Sequence, residues 1–537
     1  MLRRIAPHAL WIATAAGRLL PSSADPDLWG HLLFGTLLLS GRLPAHNSFA
    51  YTAPEHPWVN HEILAEASMA ATFNWLGAPG LVLMKAAIGL ATLLLVWRTA
   101  LARSRSPSAS ALATVMAAVV MTPGLMIRPQ MFTLLFLALT LAILTGEGYR
   151  PRRRAWLIPP LFVLWINTHG GVLAGAGLAA VGVLGEFALR IRRNETDRRD
   201  LIRTGGFLTA LTLALLVNPY GPTLLRFLTH DVTPHVPITE WAPVSLGDFS
   251  FAGFKLMLLA VAAGVVWLGG GRLSETLVVA VAAGAALTHR RHIPLFAIAA
   301  APVLAAILVR LWSVVLRRLP RASRSDVRSA GVRLFAGVAA VQVAVAVVAA
   351  GHTRGRIVVD PRTYPVQAMR FLAENGITGN VALPFRWGEY ALWALPAGTR
   401  VAVDGRFTTA YPSTLLADAW RFMSGEPGWN ALLTDYPTDV VVADRAQAPA
   451  LLLRGHSEWE YVYSDPVSVV FVRRVPSQAR TLERFRTRML TYNTAPLDLE
   501  FPAGRPRWSA TALSAADAPT RVAMRRPSTD GRPGESR

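Results

Sequence analysis

Residues Asp25 to Glu66 read DPDLWGHLLFGTLLLSGRLPAHNSFAYTAPEHPWVNHEILAE, the only long polar stretch in the first half of the chain. Its acids and histidines cluster at its two ends. Asp25 and Asp27 follow an apolar N-terminal segment, and His61, Glu62 and Glu66 open the helix that leads into the next apolar run. The fold follows from which side of a membrane this loop faces and what else faces it.

That a membrane is involved is set by composition. Of 537 residues, 52% are hydrophobic and 16% charged, with mean hydropathy +0.36, far from an ordinary soluble domain. The net charge of +21 lies in short arginine clusters between apolar runs. Topology signals and attraction to anionic lipid headgroups account for it, so no nucleic-acid partner is implied. Without cysteine there is no disulfide, thiolate nucleophile or thiolate-bound zinc. The basic N-terminus with its short apolar run also has the form of a cleavable signal peptide; an uncleaved first span is expected.

Apolar windows of about 20 residues, enough to cross a bilayer core, fall near 5–22, 80–101, 109–127, 129–147, 155–168, 170–189, 205–218, 252–270, 274–288, 293–312 and 331–350. They predict a polytopic α-helical membrane protein with about eleven spans. Arginine clusters follow the second, fourth, sixth and tenth windows, at Arg98 to Arg105, Arg150 to Arg154, Arg190 to Arg203 and Arg310 to Arg328. All fall on one side, which the positive-inside rule makes cytoplasmic. The N-terminus is then cytoplasmic and the loop at 23–79 outside, in a multi-pass protein of the plasma membrane.

The remaining membrane-edge polar residues gather on that outer side: Arg128, Asn167, His169, Asn218, Tyr220, and the run His289-Arg290-Arg291-His292. Arginine there works against the orientation, and an ionisable group at membrane depth points to function. The competing reading of each is a snorkelling or capping side chain. Arginine at this interface suits a phosphate, which its planar fork grips with two charge-assisted bonds.

After 351 the chain changes character. Residues 352–475 alternate short β-rich runs (380–384, 400–404, 439–443, 461–463, 467–472) with helical stretches, as in a small α/β domain. An odd span count places this domain outside too. Residues 476–537 turn to Arg, Pro, Ser, Thr and Ala, with a disordered end expected over 525–537.

In the loop, Asp27 is the better cap for a helix starting near Leu28. Asp25 either activates an acceptor as a general base or braces the loop. Glu62 and Glu66 share a helix face, a like-charge pair that calls for a nearby cation: a divalent metal (Mg or Mn) or the Arg290/Arg291 pair. His31, His46, His56 and His61 lack compact zinc-ligand spacing.

An acidic first outer loop with an interfacial helix, short spans with polar outer turns, and a C-terminal outer α/β domain together resemble the GT-C superfamily of integral-membrane glycosyltransferases. The resemblance implies transfer of a sugar from a polyprenyl-phosphate donor to a cell-envelope acceptor. It places the catalytic base on Asp25 ahead of Asp27, with Glu62 as the supporting acid. Arg290 and Arg291, with Arg128, are then expected to hold the donor phosphate, and His61, His169, His289 and His292 to line the substrate site. Phe385 to Trp393, followed by Val403-Asp404-Gly405-Arg406, is similar in placement to the acceptor-reading motif of oligosaccharyltransferases. It carries Trp387-Gly388-Glu389-Tyr390 where that motif has Trp-Trp-Asp-Tyr, and a turn and packing element is the competing reading. A non-catalytic transporter or scaffold for lipid-linked envelope material is the alternative. It predicts mid-span ionisable groups and inverted repeats rather than polar residues crowded on one side.

Single cysteines introduced beside Arg153 and Arg321 should be shielded from an impermeant thiol reagent in intact cells, and ones beside His56 and Thr408 should label. Labelling beside Arg153 reverses the orientation.

Overall fold

The structure, a computed structural model, describes residues 2–42, 44–231, 237–269, 271–318, 320, 323–353 and 355–503. The expected disorder at 525–537 therefore lies outside the described residues.

Helices fill the first two thirds of the chain: α1 (Leu2–Leu19), α2 (Leu28–Leu39), α3 (Ile63–Ser104), α4 (Pro107–Val120), α5 (Gln130–Gly146), α6 (Ile158–Ile166), α7 (Val172–Arg192), α8 (Arg198–Leu215), α9 (Pro222–Arg226), α10 (Ala252–Leu268), α11 (Leu273–Thr288), α12 (Ile293–Arg318) and α13 (Ser323–Thr353). Every apolar window of the sequence overlaps one of them. The expected eleven spans are corrected, however. Among the described residues four helices are long and apolar enough to cross a membrane: Ile63–Ser104, Val172–Arg192, Arg290–Arg318 and Ser329–Val348. Six more apolar helices are only 10–17 residues long. A hydropathy window averages over turns and cannot register that a helix has stopped, whereas crossing about 30 Å at 1.5 Å per residue needs a continuous run. The chain is still a polytopic α-helical membrane protein.

Helix α3 turns a corner at Gly77, whose φ of 64° and ψ of −159° break the helix; a side chain there would be strained. Pro79 follows at the start of the second limb, where its fixed φ and missing N–H suit the first turn of a helix. The first limb of α3 packs on α2 so closely that a Cβ on Gly35 would lie 2.1 Å from the Glu66 carbonyl oxygen.

The C-terminal part builds a five-stranded sheet in the order β2-β1-β3-β5-β4. Its strands are β1 (Asn380–Ala382), β2 (Arg400–Val401), β3 (Val440–Asp444), β4 (Trp459–Ser464) and β5 (Ser468–Arg473), each overlapping a run read from the sequence. β2, β1 and β3 run parallel, and β5 and β4 complete the sheet antiparallel. All of β3, VVVAD, is buried, as a central strand covered on both faces requires. Helices α14 (Val366–Glu374), α15 (Phe385–Ala394) and α16 (Ser413–Ser424) flank it.

The loop between α1 and α3 shares one hydrophobic core with this sheet, while the membrane helices form another. Backbone pairing ties the two: Ala24 N–H donates to Val358 O at 2.8 Å, and Val401 N–H to Phe49 O at 3.1 Å. Residues 499–501 join the same ladder, with Phe501 N–H donating to Ile357 O at 2.9 Å, so this part of the 476–537 segment packs into the core. Trp29 of α2 is fully buried against Tyr364, Tyr390 and Phe501, with centroids 4.9, 4.7 and 5.3 Å away. Its Nε1–H donates to Pro502 O at 3.0 Å.

Arg406, in the loop after β2, fixes the same junction. Its guanidinium is paired to Asp404 at 2.9 and 2.7 Å and donates to Asn47 Oδ1 at 2.6 Å. It also lies 4.8 Å from the rings of both Phe34 and Trp58, a cation caged by aromatic faces where its charge is offset at once by its carboxylate partner.

Trp29→Ala should lower stability by about 3–5 kcal/mol, the cost of emptying a large buried aromatic site. Thermal unfolding of the purified protein measures it; a change below about 1 kcal/mol would mean that α2 is not anchored through this ring.

Candidate functional site

A cleft of about 490 Å³ opens where the loop, the ends of the membrane helices and the sheet domain meet, within the size range of small-molecule sites. Its wall includes Asp27 and His31 from the start of the loop, Asn60 to Glu62 and Glu66 from its end, and Arg128, His169, Glu240 and Arg291 from turns between membrane helices. The sheet domain adds Arg386, Glu389 and Arg406.

Arg128 organises one side. Its Nε donates to Asp25 Oδ1 at 2.5 Å, Nη2 to Asp27 Oδ2 at 2.6 Å and Nη1 to Glu240 Oε1 at 2.6 Å. With three carboxylates on one guanidinium, Arg128 is not the free phosphate ligand expected from sequence. Asp25 is buried behind the wall and also accepts the Asp27 N–H at 3.1 Å. Asp27 precedes α2 but makes no side-chain cap, which corrects the capping expectation: its carboxylate is drawn to Arg128 instead. Burial raises Asp27 to about 6, with Arg128 opposing and Asp25 adding to the rise.

The other acids surround a histidine. His31 Nδ1 is 3.2 Å from Glu66 Oε1 and 3.7 Å from Glu62 Oε2, and Asn60 Nδ2 donates to Glu66 Oε2 at 2.6 Å. Burial disfavours the imidazolium, but the hydrogen bond to Glu66 and the charges of Glu62 and Glu66 outweigh it and push His31 up to about 9. Burial raises Glu62 to about 7, against the pull of His31. The cation required by the Glu62/Glu66 pair is thus His31, which sequence spacing had left unassigned.

Two neutral histidines face Glu62 from the opposite side, His61 Nε2 at 3.7 Å and His169 Nε2 at 3.6 Å from Oε1. Burial and the Arg291 charge push His61 down to about 4, and burial with the His61 and Arg291 charges takes His169 well below its ordinary value. Gly171 N–H donates to His169 Nδ1 at 2.9 Å. That nitrogen must therefore be an acceptor, and the ring proton sits on Nε2, directed at Glu62.

The His289 to His292 run divides. Arg291 reaches the cleft with its guanidinium 4.5 Å over the Trp241 ring and has no carboxylate within ion-pair distance among the described residues. Arg290 turns away, donating to Pro243 O at 3.2 Å. His289 stacks edge-on to Trp241 and His292, at 5.5 and 5.6 Å, and His292 Nδ1 lies 3.2 Å from Ala285 O. None of these three is on the cleft wall.

The motif in the sheet domain divides likewise. Trp387 is buried with its Nε1–H donated to Thr363 O at 2.8 Å, and Tyr390 O–H donates to Ala503 O at 2.9 Å; both are core. Asp404, fully buried, serves Arg406 and accepts the Tyr411 O–H at 2.7 Å. Glu389 and Arg406 face the cleft. Sequence reading missed Glu240 and Trp241. Their one signal was that Glu240 is the only acid between Asp231 and Asp248.

A divalent cation has a candidate seat: one ligand atom each from His31, Glu62 and Glu66, all within 4.8 Å of one another. One imidazole nitrogen and two carboxylates fit Mn²⁺ better than Mg²⁺, which favours oxygen ligands in a strict octahedron. His31 must release its proton to bind, so metal and proton compete.

No family model and no curated protein matches the chain. Among solved structures it is similar to ArnT from Cupriavidus metallidurans in the apo state, with TM-score 0.49, 12% identity, and 89% of this chain and 98% of that chain covered. The same protein bound to undecaprenyl phosphate gives TM-score 0.47 at 12% identity, with the same coverage.

Titration with Mn²⁺, followed by loss of the free-ion EPR signal, should reveal one site that His31→Ala or Glu62→Gln weakens at least about tenfold. Equal binding by both variants removes this triad as the seat.

Proposed function

We propose that the chain transfers a sugar from a polyprenyl-phosphate carrier to an acceptor at the extracytoplasmic face of the plasma membrane. The observation that carries this reading is Arg291: a cation in the cleft, stacked on Trp241 and without a carboxylate partner among the described residues. It stands just ahead of α12, whose first N–H groups add to the attraction for an anion. A phosphate at the membrane edge, tethered to a lipid, is the ligand this placement suits.

Asp27 takes the role of base, since it is the aspartate of the pair that reaches the cleft. Its carboxylate removes the proton of the acceptor hydroxyl as that oxygen bonds to the anomeric carbon. The bond from that carbon to the phosphate oxygen breaks, and the electron pair leaves with the polyprenyl phosphate. Arg291 meets the charge that grows on the leaving phosphate, an interaction stronger in the transition state than before it. Glu62, backed by His31, His61 and His169, lies on the Arg291 side and orients the donor. A cation at His31, Glu62 and Glu66 would supply further charge compensation to the phosphate.

Arg291→Ala should weaken binding of undecaprenyl phosphate by about 1.5–3 kcal/mol, the value of a charge-assisted hydrogen bond, while Arg290→Ala leaves it unchanged. Asp27→Asn should bind the lipid normally but release undecaprenyl phosphate from an undecaprenyl-phosphate hexose about 10²–10⁴ times more slowly. Full turnover by Asp27→Asn, or equal lipid binding by Arg291→Ala and wild type, overturns this assignment.

A further inference from the structure

Glu389 is a carboxyl that the mechanism above leaves unused. It lies on α15 of the sheet domain, is 3% exposed, lines the cleft, and neither of its oxygens has a hydrogen-bond partner among the described residues. Leaving a buried carboxyl unpaired is costly, and two glycines make the room for it. A Cβ on Gly30 would lie 2.2 Å from Oε2, and one on Gly405 would lie 3.1 Å from Oε1 and 2.3 Å from Asp27 Oδ1. Glu389 and Asp27 therefore face each other across Gly405.

The cleft has two ends. Arg291 sits among Glu240, Glu62 and Arg128, whereas Glu389 sits among Asp27, Asp404, Arg406 and Glu66. If the phosphate occupies the Arg291 end, in-line attack brings the acceptor from the Asp27 and Glu389 end. Burial, with the charges of Asp27 and Asp404, holds Glu389 well above the usual carboxylate range, which favours the acid form, a group that both donates and accepts. A hydroxyl, itself donor and acceptor, satisfies both. An anionic group would meet Asp27. The rings of Phe385 and Phe407, 5.0 Å apart and both on the wall, give an apolar surface for the face of a sugar ring.

We propose that Glu389 is a positioning residue for the acceptor, holding the hydroxyl adjacent to the one that Asp27 activates, so that the acceptor is a vicinal diol on a glycan. This rests on the sugar-transfer reading. The sheet domain then chooses the acceptor, while the membrane helices hold the donor.

The test uses the full chain in nanodiscs, with saturation-transfer NMR of methyl glucoside, mannoside, galactoside and arabinoside, and undecaprenyl phosphate as a separate ligand. At least one glycoside should bind, and Glu389→Leu should weaken it about tenfold or more, because a hydroxyl that loses both its donor and its acceptor is left unpaired in the cleft. The deoxy analogue lacking the adjacent hydroxyl should lose a similar factor on wild type and nothing further on Glu389→Leu, a non-additivity that a purely structural role would not produce. Glu389→Asp, which withdraws the carboxyl by one methylene, decides the matter if the Leu variant does not fold. Equal glycoside binding by variant and wild type, no glycoside binding at all, or binding of a serine peptide in preference overturns the proposal. In each of those outcomes lipid binding that still depends on Arg291 leaves the sugar-transfer reading standing, and its loss removes both.

Discussion

Three chain segments far apart in sequence converge on the guanidinium of Arg128. Asp25 and Asp27 come from the start of the loop, Glu240 from the segment before α10, and Arg128 itself from the turn before α5. Asp25 and Asp27 would repel one another away from water, with the half-exposed Glu240 beside them, and the attraction to one delocalised, always-protonated cation makes the arrangement tenable. Removing the cation would leave buried like charges facing each other, a change that costs about 3–5 kcal/mol for a broken buried pair. The floor of the cleft therefore exists only when the helical bundle and the loop are both in place.

The second constraint is the shared core of loop and sheet domain. Trp29 and the Arg406 cage hold α2 against α15 and the loop after β2, so the sheet domain is a wall of the site and not an appendage on it. The close approach at Gly30 and Gly405 depends on this docking, since a methyl group at either position would meet Glu389 or Asp27 at less than van der Waals distance. Packing at that density transmits small displacements directly to the carboxyls.

These two constraints divide the cleft by chemistry. One end carries a cation on an aromatic face and two neutral histidines; the other carries two carboxyls of unequal acidity. Carboxyls held apart in protonation state by their surroundings can take separate parts, one accepting a proton and one donating a hydrogen bond. Under the proposed sugar transfer, that polarity would carry the group from the membrane edge toward the sheet domain.

Much of this was legible in the sequence. Each apolar run fell on a helix of the bundle, because burial in lipid demands apolar surface, and each of the five strands overlaps a β-rich run. The polar loop pointed to the cleft through Asp27, His61 and Glu62, and the turn after α6 through His169, since an ionisable group at membrane depth is too costly to keep without use. What the sequence could not decide were matters of direction and partner. Arg290 and Arg291 are adjacent and chemically identical, yet one meets a backbone carbonyl and the other the cleft, because successive side chains leave the 3-10 turn they share about 120° apart. Asp25 and Asp27 were ranked by position, but burial behind Arg128 reversed which one reaches the cleft. The motif around Glu389 gave its tryptophan and tyrosine to the core and only its glutamate to the site. His31, a lone histidine on an apolar helix, became the partner of Glu62 and Glu66 only when α2 crossed α3 at Gly35. Sequence determined which residues the lipid and the sheet would bury; only the crossing of distant segments decided which polar groups were left facing one another.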